Sequence, residues 1–501
     1  MADKNAIPSR KGAEAMKQHR TTIARILALI LLFGTFAGCS TATTDEGTAP
    51  VQVTPTADAE TESAPEEDVY VSDDLPSPDY DGYDYRILSC NFYNKELATY
   101  LTYDEITGDP VNDVLYASRD NIQSRFNIGI RWIETGDTTA GRDAVKKAVT
   151  AGDDAFDILI GHDTNTFGLG KDGYLYNLMA VDQFNFEKPW WPKNTVESLR
   201  IGDKMYAASS YLSYCGLHWT RVITFNKDYA EDLGYTDLYD EVREGRWTLD
   251  RLHELCEGVS VDLDGNGKYN VKDKIAFTSG GQTWYCMQEA AGIPVYRHDA
   301  DGIPYLDIDI ERVSKYVDIM RLLITGDDYV ASGDFGIDQF KNGLALFAYT
   351  QVGDAYDTYR ISEIRYGFLP TPKLDEEQAD YINCCTDVPW GIPKNVSPER
   401  LDLIGTVTEA MSCYNYNSVL PAYYETAIKA RTADAPDDTE MLTIIANTRT
   451  ISFSYTYQLT YNNIVNGCVE NNSEVASYFK KNEKVATKTL DRLIDAYSKM
   501  D

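Results

Sequence analysis

Histidine is scarce in this sequence, with five in 501 residues. Only His162, His218, His253 and His298 follow position 39, so imidazole acid–base chemistry has few carriers. No GxSxG, HExxH or GKS/T loop occurs, and HELCE (253–257) lacks a second histidine. CxxC is absent too. Basic residues are outnumbered, with 46 Lys and Arg against 79 Asp and Glu, a formal charge of −33. Such a surface repels phosphate backbones and anionic headgroups, which excludes nucleic acid as a natural partner. It also disfavours anionic ligands unless a local basic site exists.

Long apolar runs are missing. The stretch 26–36, eleven residues without charge, is the longest. As a helix it would span about 16 Å, against about 30 Å for a bilayer core. Lys17, Arg20 and Arg25 precede it, and small residues follow. That is the pattern of a secretory signal over 1–39, with Met16 an alternative start. Ala37-Gly38-Cys39 resembles the bacterial lipobox, with Phe36 where leucine is usual. The resemblance implies a lipid-modified (palmitate-type) Cys39 as the mature N-terminus, on the outer face of the cytoplasmic membrane. An unlipidated signal with a chance cysteine is the bland alternative. Residues 40–82, rich in Thr, Ala, Glu, Asp, Ser and Pro, predict a disordered polar tether.

The whole chain is 43% apolar, and the part after position 39 has the length of two or three domains. YRILSC, GIRWIET and AFDILIG read as strands, DPVNDVLYASRDNIQSRFNI and GRDAVKKAVTAG as helices between them. Further strands are expected at KMYAAS and RVITFNK. WTLDRLHELCEG predicts a helix capped by Thr248, with Leu249, Leu252, Leu255 and Cys256 on one face. SEVASYFKKNEKVATKTLDRLIDAYSKM is the last helix. Strands alternating with amphipathic helices indicate an α/β fold with mainly parallel sheets. Cys90, Cys215, Cys256, Cys286, Cys384, Cys385, Cys413 and Cys468 are widely spaced in apolar contexts. They read as mostly reduced, buried thiols without metal.

Several segments, in order, resemble one family. TFNKDYAEDLG (224–234), RWTLDRLHELCEGVS, FKNGLALFAYTQVGD (340–354), YGFLPTPK, WGIPKNVSPERLDLI and AFDILIGHDTN are similar to segments of the solute-binding proteins of carbohydrate-type ABC importers, the maltose-binding-protein family. The resemblance spans about 85–410. It implies a two-lobe periplasmic-binding-protein-like fold (type II), with hinge strands between the lobes and a ligand cleft between them. Lobe 1 would comprise 83–221 and 372–413, lobe 2 222–371 and 414–501. Crossings would fall near 221–225, 366–372 and Cys413. It further implies a monomer that passes a neutral solute, an oligosaccharide or other sugar, to membrane permease subunits.

A sugar site needs aromatic platforms and planar polar side chains. Candidates at strand ends are Asn91, Asn94, His162, Asp163, Thr164, Trp219, Gln282, Trp284, Tyr285, Gln351, Asp354, Tyr356, Asp387 and Trp390. Any of these aromatics can instead be core. DLDGNGKYNVKD (262–273) matches a calcium loop. Asp262, Asp264 and Asn266 stand at positions 1, 3 and 5, Lys268 offers a carbonyl at 7, and Asp273 stands at 12. A metal-free surface turn is the alternative. No catalytic cofactor is implied. The rival functions are a surface-anchored glycan-degrading enzyme, which would need two carboxylates, and a glycan or peptide adhesin.

Overall fold

A computed structural model describes residues 70–500 except 93–94, 281–283, 332–335 and 429–434. Cys39, Asn94 and Gln282 lie outside the described residues. Two five-stranded sheets organise the chain.

The first sheet is built on β1 (Tyr83–Phe92), which pairs with three others. β2 (Lys95–Glu96) returns antiparallel at its tip, while β3 (Ile128–Asp137) and β4 (Ile158–Ile160) run parallel to it. Trp390–Gly391 closes the sheet antiparallel to β4. Tyr85, Ile87, Leu88 and Cys90 are all buried, as expected of a strand covered on both faces. The helix Pro110–Phe126 supplies part of that cover. Asp109 accepts from Val111 N and Asn112 N, Pro110 begins the first turn, and Asn127 in the left-handed region (φ 50°) ends it. KMYAAS forms isolated bridges instead of a strand, because Ala208 meets only the short edge at Trp390.

The second sheet contains β5 (Arg221–Asn226), β6 (Ile275–Ser279), β7 (Tyr329–Ala331), β8 (Ala345–Gln351) and β9 (Tyr366–Leu369), ordered β9-β5-β8-β6-β7. β5 is antiparallel to both neighbours, and β6 is parallel to β7 and β8. The Leu249–Cys256 helix starts as read: Thr248 Oγ1 accepts from Arg251 N, and Leu249, Leu252, Leu255 and Cys256 are buried.

Between the sheets, Asn383–Cys385 pairs in parallel with Arg449–Ile451, and Thr220 bridges to Cys385. Thr371 Oγ1 donates to Arg221 O and Thr371 N to Asn383 Oδ1, tying the crossings together.

Two expectations about the chain path need correction. Cys413 opens a passage made of helix, not of hinge strand. It lies inside the helix Pro398–Tyr414, which runs through a π turn (Asn415–Val419) into Leu420–Ile428. Asn415 holds this stretch to the first lobe, donating to Leu101 O and Leu212 O and accepting from Ser118 Oγ. Residues 414–501 therefore do not pack on the second lobe alone. Ala435–Asn447 packs against β9, while the final helix Val475–Ser498 touches Asp163–Lys171 as well as Ile310–Thr325.

The second correction concerns 70–82, expected to be disordered. This segment straps onto the first lobe. Val71 N donates to Asn417 Oδ1 and Val71 O accepts from Asn417 Nδ2, both at 2.9 Å. Asp73 pairs with Arg125 at 2.5 Å and Asp74 with Lys188 at 2.7 Å. Polar composition misled because much of the hold is by ion pairs and amide bonds, with only Val71, Leu75 and Tyr80 packed against the core.

All eight described cysteines are free and buried, as expected. Among the described residues no helix is long and apolar enough to cross a membrane.

Candidate functional site

In open α/β sheets ligands sit beyond the carboxyl ends of the strands. On the first sheet that edge carries Phe92 from β1, and His162 and Asp163 just after β4. Asp387 lies opposite them, since Trp390 pairs with Ile160 and Gly161 N donates to Pro389 O. The two carboxylates expected from sequence thus share one edge.

Asp163 is 1% exposed. Its Oδ1 accepts from Thr164 N at 2.6 Å and faces His162 Nδ1 at 3.0 Å, while Oδ2 has no partner. Asp387 is equally buried; Oδ1 accepts from Val388 N and Oδ2 from Ser209 Oγ. Burial pushes its carboxyl up to about 6, against the pull of Arg449. Arg449 itself was missed by sequence reading. It is buried, lies 4.6 Å from the centre of the Tyr211 ring, and none of its three nitrogens has an acceptor. A Cβ on Gly216 would come 2.6 Å from Asp387 Oδ2 and 3.3 Å from Arg449 Nη1, so glycine lets both side chains close over this backbone.

The second lobe contributes Tyr285. Its ring stacks on Tyr455 at 3.9 Å with an interplanar angle of 3°. Burial first, and Asp163 among nearby groups, raises the Tyr285 phenol. Trp219 is half-buried, its ring 5.7 Å from Phe92 and 5.6 Å from Tyr100. Phe92 continues to His162 at 4.6 Å. Phe92, Trp219 and His162 form an aromatic wall beside Asp163.

Other expected residues are elsewhere. Trp390 is buried between Phe184 and Trp191 (5.6 and 5.9 Å), with Nε1 donating to Ser210 Oγ. Trp284 is buried against Tyr349 in the second lobe. Both are core, because an aromatic at a strand end fills the nearest apolar space. Asn91 Nδ2 donates to Glu134 Oε1, at the β1–β3 edge. Gln351 N donates to Asp354 Oδ2, which starts the helix Val352–Asp357. Tyr356 is buried and donates to Asp109 Oδ1 at 2.5 Å, a contact between lobes.

The 262–273 loop is a nest of turns. Asp262 accepts from Gly265 N, Asn266 N and Gly267 N, and Asn266 Oδ1 accepts from Lys268 N. Asp273 is buried and accepts from Leu263 N and Asn270 N. Asp262, Asp264 and Asp273 each offer a carboxylate oxygen within 4.8 Å of the others. Gly267 stands at φ 78°, where a side chain would be strained.

A separate groove of about 820 Å³ lies between the helix Lys193–Leu199 and the strand Tyr296–His298. Glu289 lines it, accepts from Ser452 Oγ at 2.6 Å, and is pushed up to about 7 by burial. None of the residues expected from sequence lines this groove.

No protein-family model matches the chain, and no curated protein matches it by sequence. Solved structures do match. A cyclo/maltodextrin-binding protein complexed with maltotetraose aligns with a TM-score of 0.51 and 14% identity, over 82% of this chain and 96% of that one. UspC from M. tuberculosis aligns with a TM-score of 0.50 and 14% identity, over 82% and 100%. The fold is therefore the two-lobe α/β fold of ABC solute-binding proteins.

Proposed function

We propose that this protein is the substrate-binding lipoprotein of an ABC importer, capturing an extracellular sugar and delivering it to membrane permease subunits. One observation carries the reading. Buried polar groups without partners, Asp163 Oδ2 and the Arg449 nitrogens, sit with the Tyr285–Tyr455 stack at the strand-end edge of a two-lobe fold. Buried polar groups are normally satisfied, so such a set is built for something that brings hydroxyls and a flat C–H face. The similar structure with maltotetraose holds an oligosaccharide in this fold.

Lipidation at Cys39 would anchor the chain to the outer face of the membrane, as a monomer. The 262–273 loop would hold calcium as a structural clamp through Asp262, Asp264, Asn266, the Lys268 carbonyl and Asp273, supported by the convergence of its three carboxylates.

A glycan panel tests capture. One sugar should raise the melting temperature and shift tryptophan emission, and should be recovered intact. Cleavage of that sugar would favour the enzyme reading, for which the facing carboxylates Asp163 and Asp387 are the natural pair.

A further inference from the structure

The site has a surplus of hydrogen-bond donors. Arg449 stands on the strand Arg449–Ile451, at the junction of the two lobes. Its guanidinium offers five N–H groups. The Tyr211 ring covers one face, but rings supply no strong acceptor. Nearby acceptors are already engaged: both oxygens of Asp387, and Oδ1 of Asp163. One acceptor, Asp163 Oδ2, remains free. A buried cation in this condition is stable only when something else completes it.

We propose that the captured solute is an acidic saccharide whose uronate carboxylate seats on Arg449. This rests on the solute-capture reading above. A sugar hydroxyl both donates and accepts, so a neutral sugar leaves the imbalance largely in place. A carboxylate brings only acceptors, in a planar arrangement that fits the guanidinium fork bidentately. A hydroxyl of the same sugar then donates to Asp163 Oδ2, and its C–H face meets the tyrosine pair. The overall charge of −33 opposes an anion at a distance. Screening limits that field to a Debye length of about 8 Å at physiological ionic strength, and within the site Arg449 supplies a positive charge whose hydrogen-bond donors are open. The resulting complex is a buried, hydrogen-bonded guanidinium in place of one without acceptors.

The test uses the full mature chain in calorimetry and thermal shift. Glucuronate- and galacturonate-containing di- and trisaccharides are compared with their neutral hexose counterparts and their methyl esters. The uronate should bind at least about 100-fold tighter than its ester, since esterification removes the charge and blocks the fork. Arg449→Lys should reduce that preference about tenfold or more, and Arg449→Gln should abolish it. Equal binding of acid and ester by the wild-type protein overturns the proposal without requiring any variant to fold. Binding of neutral glycans alone removes the carboxylate and leaves sugar capture standing. Binding of no glycan of either kind overturns both.

Discussion

Replacing Glu409 by glutamine takes one titrating group out of the interior of the first lobe. Glu409 is fully buried; Oε1 accepts from Asn185 N at 3.1 Å and Oε2 from Trp191 Nε1 at 3.0 Å. Burial pushes its carboxyl from 4.5 up to about 7, and these donors oppose the shift only in part. Below pH 4.5 both folded and unfolded chains hold the proton, so the group adds no pH dependence. Between 4.5 and about 7 the unfolded chain has released it while the folded chain keeps it, and stability falls as pH rises. Above 7 the penalty is complete. At about 1.4 kcal/mol per unit it amounts to roughly 3 kcal/mol. Glu409→Gln removes that slope and adds a constant cost of about 1–3 kcal/mol, because the amide sets a donor against an N–H. The stability of the variant relative to wild type should therefore climb by roughly 3 kcal/mol from pH 4.5 to 7.5. Urea melts read by tryptophan emission suit this, since Trp191 touches the group. Parallel curves, with a constant difference across that range, would refute a buried protonated Glu409.

Trp390→Ala should cost about 3–5 kcal/mol in thermal melts, as for other buried tryptophans; an unchanged melting temperature with lost sugar affinity would return Trp390 to the ligand site. Tyr455→Ala should weaken the identified sugar about fivefold, from loss of a stacking platform worth about 1 kcal/mol, with affinity read by calorimetry. EGTA should lower the melting temperature and added calcium restore it, whereas Asp262→Asn should make the protein indifferent to both.

Much of the fold was legible because its signals are local. The β1, β3 and β4 segments and the helices at 110–126 and 249–256 declare themselves by periodicity, the second also by its Thr248 cap, whereas the crossing at β5 follows only from the family resemblance. Asp163 and Asp387 were legible as polar residues at strand ends. Trp390 and Trp284 were misread because strand-end position alone does not tell which way a ring packs. Arg449 carried no signal: it follows a helix by two residues and gains meaning only when Arg449–Ile451 pairs with Asn383–Cys385. The chain path after Cys413 was hidden for a similar reason. Asn415 looks like any loop asparagine until its partners Leu101, Leu212 and Ser118, far away in sequence, are in place.

The strap at Tyr70–Asp74 has a mechanical meaning. A pull on the amino-terminal side of the chain, such as a membrane anchor would transmit, meets the Asn417 amide, Arg125 and Lys188 before it reaches β1. These contacts must fail before force can peel Tyr83 from Ile128 at the start of the sheet. The load is then spread over three sites on the first lobe, and the strand that shapes the ligand edge is kept out of the line of tension.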